Sequence, residues 1–303
     1  MFWIYLALIA AALQAVEAAI KKKLLREADT NVVIGTVSFL GASVLFFIAM
    51  YVHSGQVWHP GLSARFWEAM FFYAGLNIAA SWYGYKALDL AEFTFLAPFM
   101  TLTSLTMAIP PIFLLGEFPS IASLSGIILV IAGTAVMTFR RKRKDKVCES
   151  EDERRRNNRK GLMYLLITAG CFTFTPTLGK VTIQESTPLF ASFVVFMLIG
   201  LGFMIISVCI GKFGKLRSVL TEKGYRVTLV AILVTAVLTF IENASANTAM
   251  TMAPVATVMA LKRTAPLFSF IIGITYFRER KDILKKLAGA VLMVAGAIII
   301  SIL

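Results

Sequence analysis

A chain of 303 residues, 58% hydrophobic and 16% charged, is not an ordinary soluble domain, because apolar runs of about 20 residues, the length that crosses a bilayer core, recur from end to end. The formal net charge of +13 lies in the polar breaks between those runs, so it describes membrane orientation and not nucleic-acid binding. Cys148, Cys171 and Cys209 have neither metal-ligand spacing nor an even count, and His53 and His59 share one polar break without Ser/His/Asp or paired-Asp companions, which argues against a disulfide framework, a metal site or an enzyme.

The apolar runs predict an all-α membrane protein of ten transmembrane helices, near 2–20, 31–52, 66–86, 91–116, 120–139, 161–180, 188–210, 226–248, 254–277 and 284–303. Span 1 starts at Phe2 with no basic stretch before it and no small-residue cleavage site after it, so it is expected to be retained. Gln14 lies deep in this span, whereas Glu17, one turn from Lys21, is expected to be solvated or paired locally. Span 3 carries Asn77, Ser81 and Tyr85 at i, i+4 and i+8, which places them on one stripe. Span 4 adds Thr94, Thr101 and Ser104, span 6 Thr173, Thr177 and Lys180, and span 8 Thr239, Glu242, Asn243 and Asn247. Such stripes line a cavity or glue helices together. Pro98, Pro110, Pro111, Pro176 and Pro266 fall inside spans, where a missing amide kinks the helix or frees carbonyls facing a cavity.

Orientation follows from charge. Of the 30 Lys and Arg residues, 26 flank the breaks after spans 1, 3, 5, 7 and 9, while Arg65 and Lys180 are assigned to the other side. The positive-inside rule makes the odd breaks cytoplasmic and both termini non-cytoplasmic, in a bacterial inner membrane or an organelle membrane. The break at 140–160, RRKRKDKVCESEDERRRNNRK, is expected to be a basic cytoplasmic linker between domains at 1–139 and 161–303.

The remaining two cations, Lys262 and Arg263, lie side by side about 9 residues into span 9, near the bilayer midplane. Each costs about +2.5 to +3.5 kcal/mol to insert, and an intramembrane charge marks a functional site by default. Glu242 on span 8 is expected at similar depth, so an ion pair is geometrically possible. One carboxylate poorly satisfies two neighbours that point about 100° apart on a helix, and the surplus cation asks for an anionic solute. Arg and Lys together suit phosphate, and a carboxylate or amino acid remains open.

The two halves repeat. A slide of 162 matches Ala87 with Ala249, Ala91 with Ala253 and Glu117 with Glu279, and a slide of 163 matches Gly126 with Gly289 and Gly133 with Gly296. Five spans per half invert the second copy, in agreement with the alternation of basic breaks, and inverted repeats are the architecture of alternating-access transporters. The segments ALDLAEFTFLAPF, LLGE and GIILVIAG, with their counterparts TAMTMAPVATVMALKRTAPLFSFIIGITYFRE and GAVLMVAG, resemble the EamA-type members of the drug/metabolite transporter superfamily. The resemblance implies two inverted five-helix repeats around a central cavity lined by spans 1, 3, 4, 6, 8 and 9. It departs from the family in placing both termini outside. VATVMALKRTAP is also similar to the ninth span of triose-phosphate translocators, which implies a phosphate-binding role for Lys262 and Arg263. The fourth-span lysine of that family has no counterpart, since 91–116 holds no basic residue.

The function expected is secondary transport of a small anionic metabolite, phosphorylated or carboxylated, bound near Lys262, Arg263, Glu242, Asn243, Asn77, Ser81, Tyr85, Thr101, Thr173, Thr177 and Gln14. The alternatives are an exporter of amino acids or of neutral or cationic metabolites or drugs, with the Lys-Arg pair structural, and, more remotely, a membrane scaffold or sensor. The expected partners are a small-molecule substrate, the lipid bilayer and a coupling proton or counter-substrate, with no cofactor, metal or nucleic acid.

Overall fold

A computed structural model of the chain describes residues 2–24, 31–54, 61–90, 106–138, 151–209, 211, 225–275 and 283–302. Every regular element among them is helical: α1 (Phe2–Leu24), α2 (Asn31–Ser54), α3 (Ala64–Leu90), α4 (Pro110–Leu115), α5 (Ile121–Thr138), α6 (Glu151–Gln184), α7 (Pro188–Cys209), α8 (Tyr225–Met252), α9 (Val255–Lys262), α10 (Ala265–Thr275) and α11 (Ile283–Ile302). Among the described residues six stretches are long and apolar enough to cross a membrane, and 38–53 and 121–137 are shorter apolar helices. Large apolar side chains such as Phe113 (82% exposed) and Ile121 (88%) face outward, as lipid-facing surfaces require.

The chain forms two compact units that cut across the sequence halves: Met1–Gly75 with Leu178–Ala253, and Leu76–Thr177 with Pro254–Leu303. In the first unit α2 packs extensively on α7, and α1 and α2 on α8. Aromatic rings fill the α2–α7 seam. Phe39 and Phe46 both stack on Phe196, at 5.7 and 5.5 Å between centroids, and Phe39 also stacks on Phe203 at 5.9 Å. The helices run antiparallel, since Leu40 meets Gly200 while the Ser43 hydroxyl donates to the Phe193 carbonyl at 3.2 Å. At one end of this unit Glu185 accepts from the Ser63 hydroxyl at 2.8 Å and pairs with exposed Arg65 at 3.6 Å.

In the second unit the most extensive pairing is α5 on α11, and here backbone meets backbone. A Cβ added to Gly126 would lie 2.8 Å from the Gly296 carbonyl oxygen, and one on Gly133 2.6 Å from that of Gly289. Side chains of any size would force the helices apart, so the four glycines fix the closeness of approach, as small residues do in lipid. The second unit also packs α3 against α6, where the Thr168 hydroxyl donates to the Ala80 carbonyl at 3.2 Å and Tyr83 lies 5.6 Å from Tyr164.

Several elements differ from expectation. Helix α3 continues to Leu90, so Ala87 is buried within a helix and not in a break. Helix α6 starts at Glu151, which makes 151–160 its first turns; 139–150 lie outside the described residues. Pro176 sits within α6 without ending it. The predicted ninth span is two helices, α9 and α10.

Candidate functional site

Lys262 and Arg263 do not lie in the middle of a continuous helix; they are where the helix stops. Pro266 has no amide to offer the Lys262 carbonyl four residues back, so the α-helical ladder cannot continue through this point. The backbone tightens instead: the Arg263 amide is shared between the Met259 and Ala260 carbonyls at 3.1 Å, Thr264 N–H reaches Leu261 at 3.0 Å, and Leu267 N–H reaches Thr264 at 2.8 Å. The Thr264 hydroxyl also donates to the Leu261 carbonyl, at 2.7 Å. Lys262 is thus the last residue of α9 and Arg263 its C-cap, a position where the helix dipole favours cations.

A second break lies opposite. Pro110 and Pro111 remove two consecutive amides, so α4 begins there and Met107–Ile109 form a turn, with Ile109 N–H donating to Thr106 at 3.1 Å. The Thr106 hydroxyl is 2.7 Å from that of Thr173 on α6, which itself donates to the Ala169 carbonyl at 2.8 Å. Irregular backbone at membrane depth occurs where it is buried in protein or lines a cavity. Among the described residues, Met107 and Ala108 of one break, Ala256, Met259, Ala260 and Arg263 of the other, and Ile127 and Ile131 of α5 enclose a narrow cleft with room for roughly one water. The Arg263 guanidinium donates to the Met107 thioether at 3.2 Å. A sulfur is a weak acceptor for a group with five donors.

One charged side chain caps the start of α9 in the second unit, and another closes the end of α8 in the first. Gly116, in the left-handed region at φ 66°, turns the chain after α4. Glu117 then places its carboxylate on the first amide of α9, accepting from Val255 N–H at 2.9 Å. This is the carboxylate position that a helix N-terminus favours. In the first unit, Lys180 is 8% exposed and donates from Nζ to the Ala253 carbonyl, just past the end of α8, at 2.9 Å. Lys180 is therefore a buried cap and not an outward-facing loop charge.

The remaining predicted residues divide between the units. Glu242, 4% exposed, and Asn243 are on α8 in the first unit, while Lys262 and Arg263 belong to the second. The Asn243 amide donates to the Thr239 carbonyl one turn earlier on its own helix, at 2.9 Å. Thr239 in turn donates its hydroxyl to Glu17 at 2.8 Å. Glu17, expected to be solvated or paired locally, is 8% exposed and bonded to a helix 222 residues away in sequence. Gln14 is exposed although Ala10, Ala11 and Glu17, one turn to either side, are buried. In the second unit Asn77 and Ser81 are half-buried on α3 and do not line the cleft. Thr177 is wholly buried, and its hydroxyl has no hydrogen-bond partner among the described residues. Thr101 and the Tyr85 side chain lie outside the described residues. Met107 and Glu117 emerge from the structure as parts of this region of the second unit, and Lys180 as a cap within the first; the Pro110–Pro111 pair was the sequence signal for Met107.

Comparison with known proteins agrees with this architecture. Residues 159–302 carry an EamA-like transporter family domain. A protein of known crystal structure is similar in fold, with a TM-score of 0.75 over 99% of this chain and 98% of the other at 14% identity. At that identity the likeness concerns the fold alone. No curated protein sequence matches. The family domain and the six apolar helices together make the chain a multi-pass integral membrane protein with a transporter domain.

Proposed function

We propose that the protein is an alternating-access secondary transporter of a small organic anion, with Arg263 as the group that meets the negative charge. The observation carrying this reading is the guanidinium in the cleft between two broken helices, with a thioether as its acceptor. Breaking α9 from α10 costs backbone hydrogen bonds, and transporters of several folds use such breaks to aim helix termini and side chains at a solute. The N-terminus of α10 begins two residues after Arg263 and adds partial positive charge.

Ten spans in two inverted repeats form part of the proposal. Its support is the exchange of contacts: Gly126 meets Gly296 and Gly133 meets Gly289, which is the pattern that a two-fold pairing Gly126 with Gly289 and Gly133 with Gly296 would impose. On this reading both termini are non-cytoplasmic and the basic breaks cytoplasmic.

The second reading is an exporter of amino acids or of neutral or cationic solutes. It is favoured by the place of Lys262 and Arg263 at the end of α9, where cations stabilise a helix without any ligand. Uptake into proteoliposomes separates the two. Saturable uptake of carboxylated or phosphorylated solutes, lost in Arg263→Gln, is expected for the anion carrier; uptake restricted to neutral or cationic solutes favours the second reading, and no saturable uptake from the whole panel overturns both.

A further inference from the structure

We infer that the cleft selects a monoanionic carboxylate with an apolar body, an aromatic or branched aliphatic acid, over an organic phosphate; the inference rests on the anion-carrier reading and names its substrate class. Three observations converge. First, the cleft walls are Met107, Ala108, Ile127, Ile131, Ala256, Met259 and Ala260, with Arg263 the one charged member among the described lining residues. One guanidinium balances one negative charge. A phosphate dianion would leave its second charge among apolar side chains, where an uncompensated ion is costly.

Second, Lys262 is not among those lining residues. It is the last residue of α9, a position at which the helix dipole favours a cation. A phosphate site built from both cations would need Lys262 turned into the same space as Arg263, although consecutive helical residues diverge by about 100°.

Third, the acceptor that Arg263 uses is the Met107 thioether, and Met259 also lines the cleft. A planar carboxylate matches the guanidinium fork in a bidentate way and outcompetes a sulfur as acceptor. Displacing Met107 from Arg263 frees an unbranched, polarizable side chain to lie against the apolar body that follows. Methionine walls adapt to varied shapes, and sulfur makes favourable contacts with aromatic rings. The cleft as it stands has room for roughly one water, so entry of the acid requires this Met107 movement.

The test uses the full chain in proteoliposomes and radiolabelled phenylpyruvate, with protein-free vesicles subtracted. Saturable uptake is expected, with glycerol 3-phosphate and the neutral amide of phenylpyruvate competing roughly 10- to 100-fold more weakly than unlabelled phenylpyruvate, the factor that one charge-assisted hydrogen-bonded contact supplies. Ala260→Leu fills the cleft and leaves Arg263 in place, so it should weaken phenylpyruvate far more than pyruvate, which has only a methyl as its apolar body. Glycerol 3-phosphate taken up in an Arg263-dependent manner while phenylpyruvate is ignored overturns this inference and leaves the anion carrier standing. Failure of every anion to enter overturns both. Equal losses for phenylpyruvate and pyruvate in a folded Ala260→Leu protein also overturn the cleft as the selective element.

Discussion

The two compact units solve one problem by opposite means. In each, an antiparallel pair of apolar helices must hold together in a solvent as apolar as its own side chains, so association rests on packing and not on escape from water. The first unit joins α2 to α7 with bulk: Phe39, Phe46, Phe196 and Phe203 interleave along the seam. The second joins α5 to α11 by absence of bulk, through Gly126, Gly133, Gly289 and Gly296. An aromatic seam has side-chain volume to rearrange. A glycine seam has less, since carbonyl oxygens of the partner backbone stand against it beside the side chains of Val130, Met137, Met293 and Ile300.

The contrast predicts unequal damage. Gly133→Leu should be the most destructive change, because a carbonyl oxygen 2.6 Å from the new Cβ cannot yield; a loss of about 3 kcal/mol is expected from overpacking of this kind. Thermal unfolding in detergent checks it, and a variant as stable as the parent would show that the helices separate freely. Phe196→Ala should cost less, roughly 2 kcal/mol, below the usual range for a buried phenylalanine because lipid or neighbouring rings fill the gap. A double-mutant cycle with Phe46→Ala should return a coupling of about 0.5–1.5 kcal/mol, the part owed to the stacked pair; zero coupling would reduce the seam to generic packing.

The smallest effects should come from the two caps. Lys180→Met removes a buried donor from the Ala253 carbonyl and should cost about 1–2 kcal/mol. Glu117→Gln keeps an oxygen acceptor for the Val255 amide and loses the charge, so roughly 0.5–1 kcal/mol is expected. Unfolding midpoints in which Glu117→Gln is the more damaging of the two would reverse the assignment of the charge as the lesser part of its cap.

What could be read from the sequence was local. Apolar run length announced helices, Pro266 and the Pro110–Pro111 pair announced breaks, and the glycines at 126, 133, 289 and 296 announced a correspondence between the halves, though not that they meet. The charges at 262 and 263 directed attention to the place where α9 ends. The partners were not legible, because each comes from far along the chain: Met107 lies 156 residues from Arg263, Glu117 138 from Val255, and Glu17 222 from Thr239. Periodicity assigns a residue to a face of its helix and is silent about which helix covers that face. Lys180 shows the consequence. Counted by charge it belongs to a loop; by geometry it is the buried donor that closes α8.

Whether Arg263 meets the negative charge of the solute is decided by one ratio: inhibition of transport by phenylpyruvate relative to its neutral amide, in the parent and in Arg263→Gln. A preference for the acid of about 10- to 100-fold is expected in the parent, collapsing toward unity in the variant. A preference for the acid that survives intact without the guanidinium would contradict it.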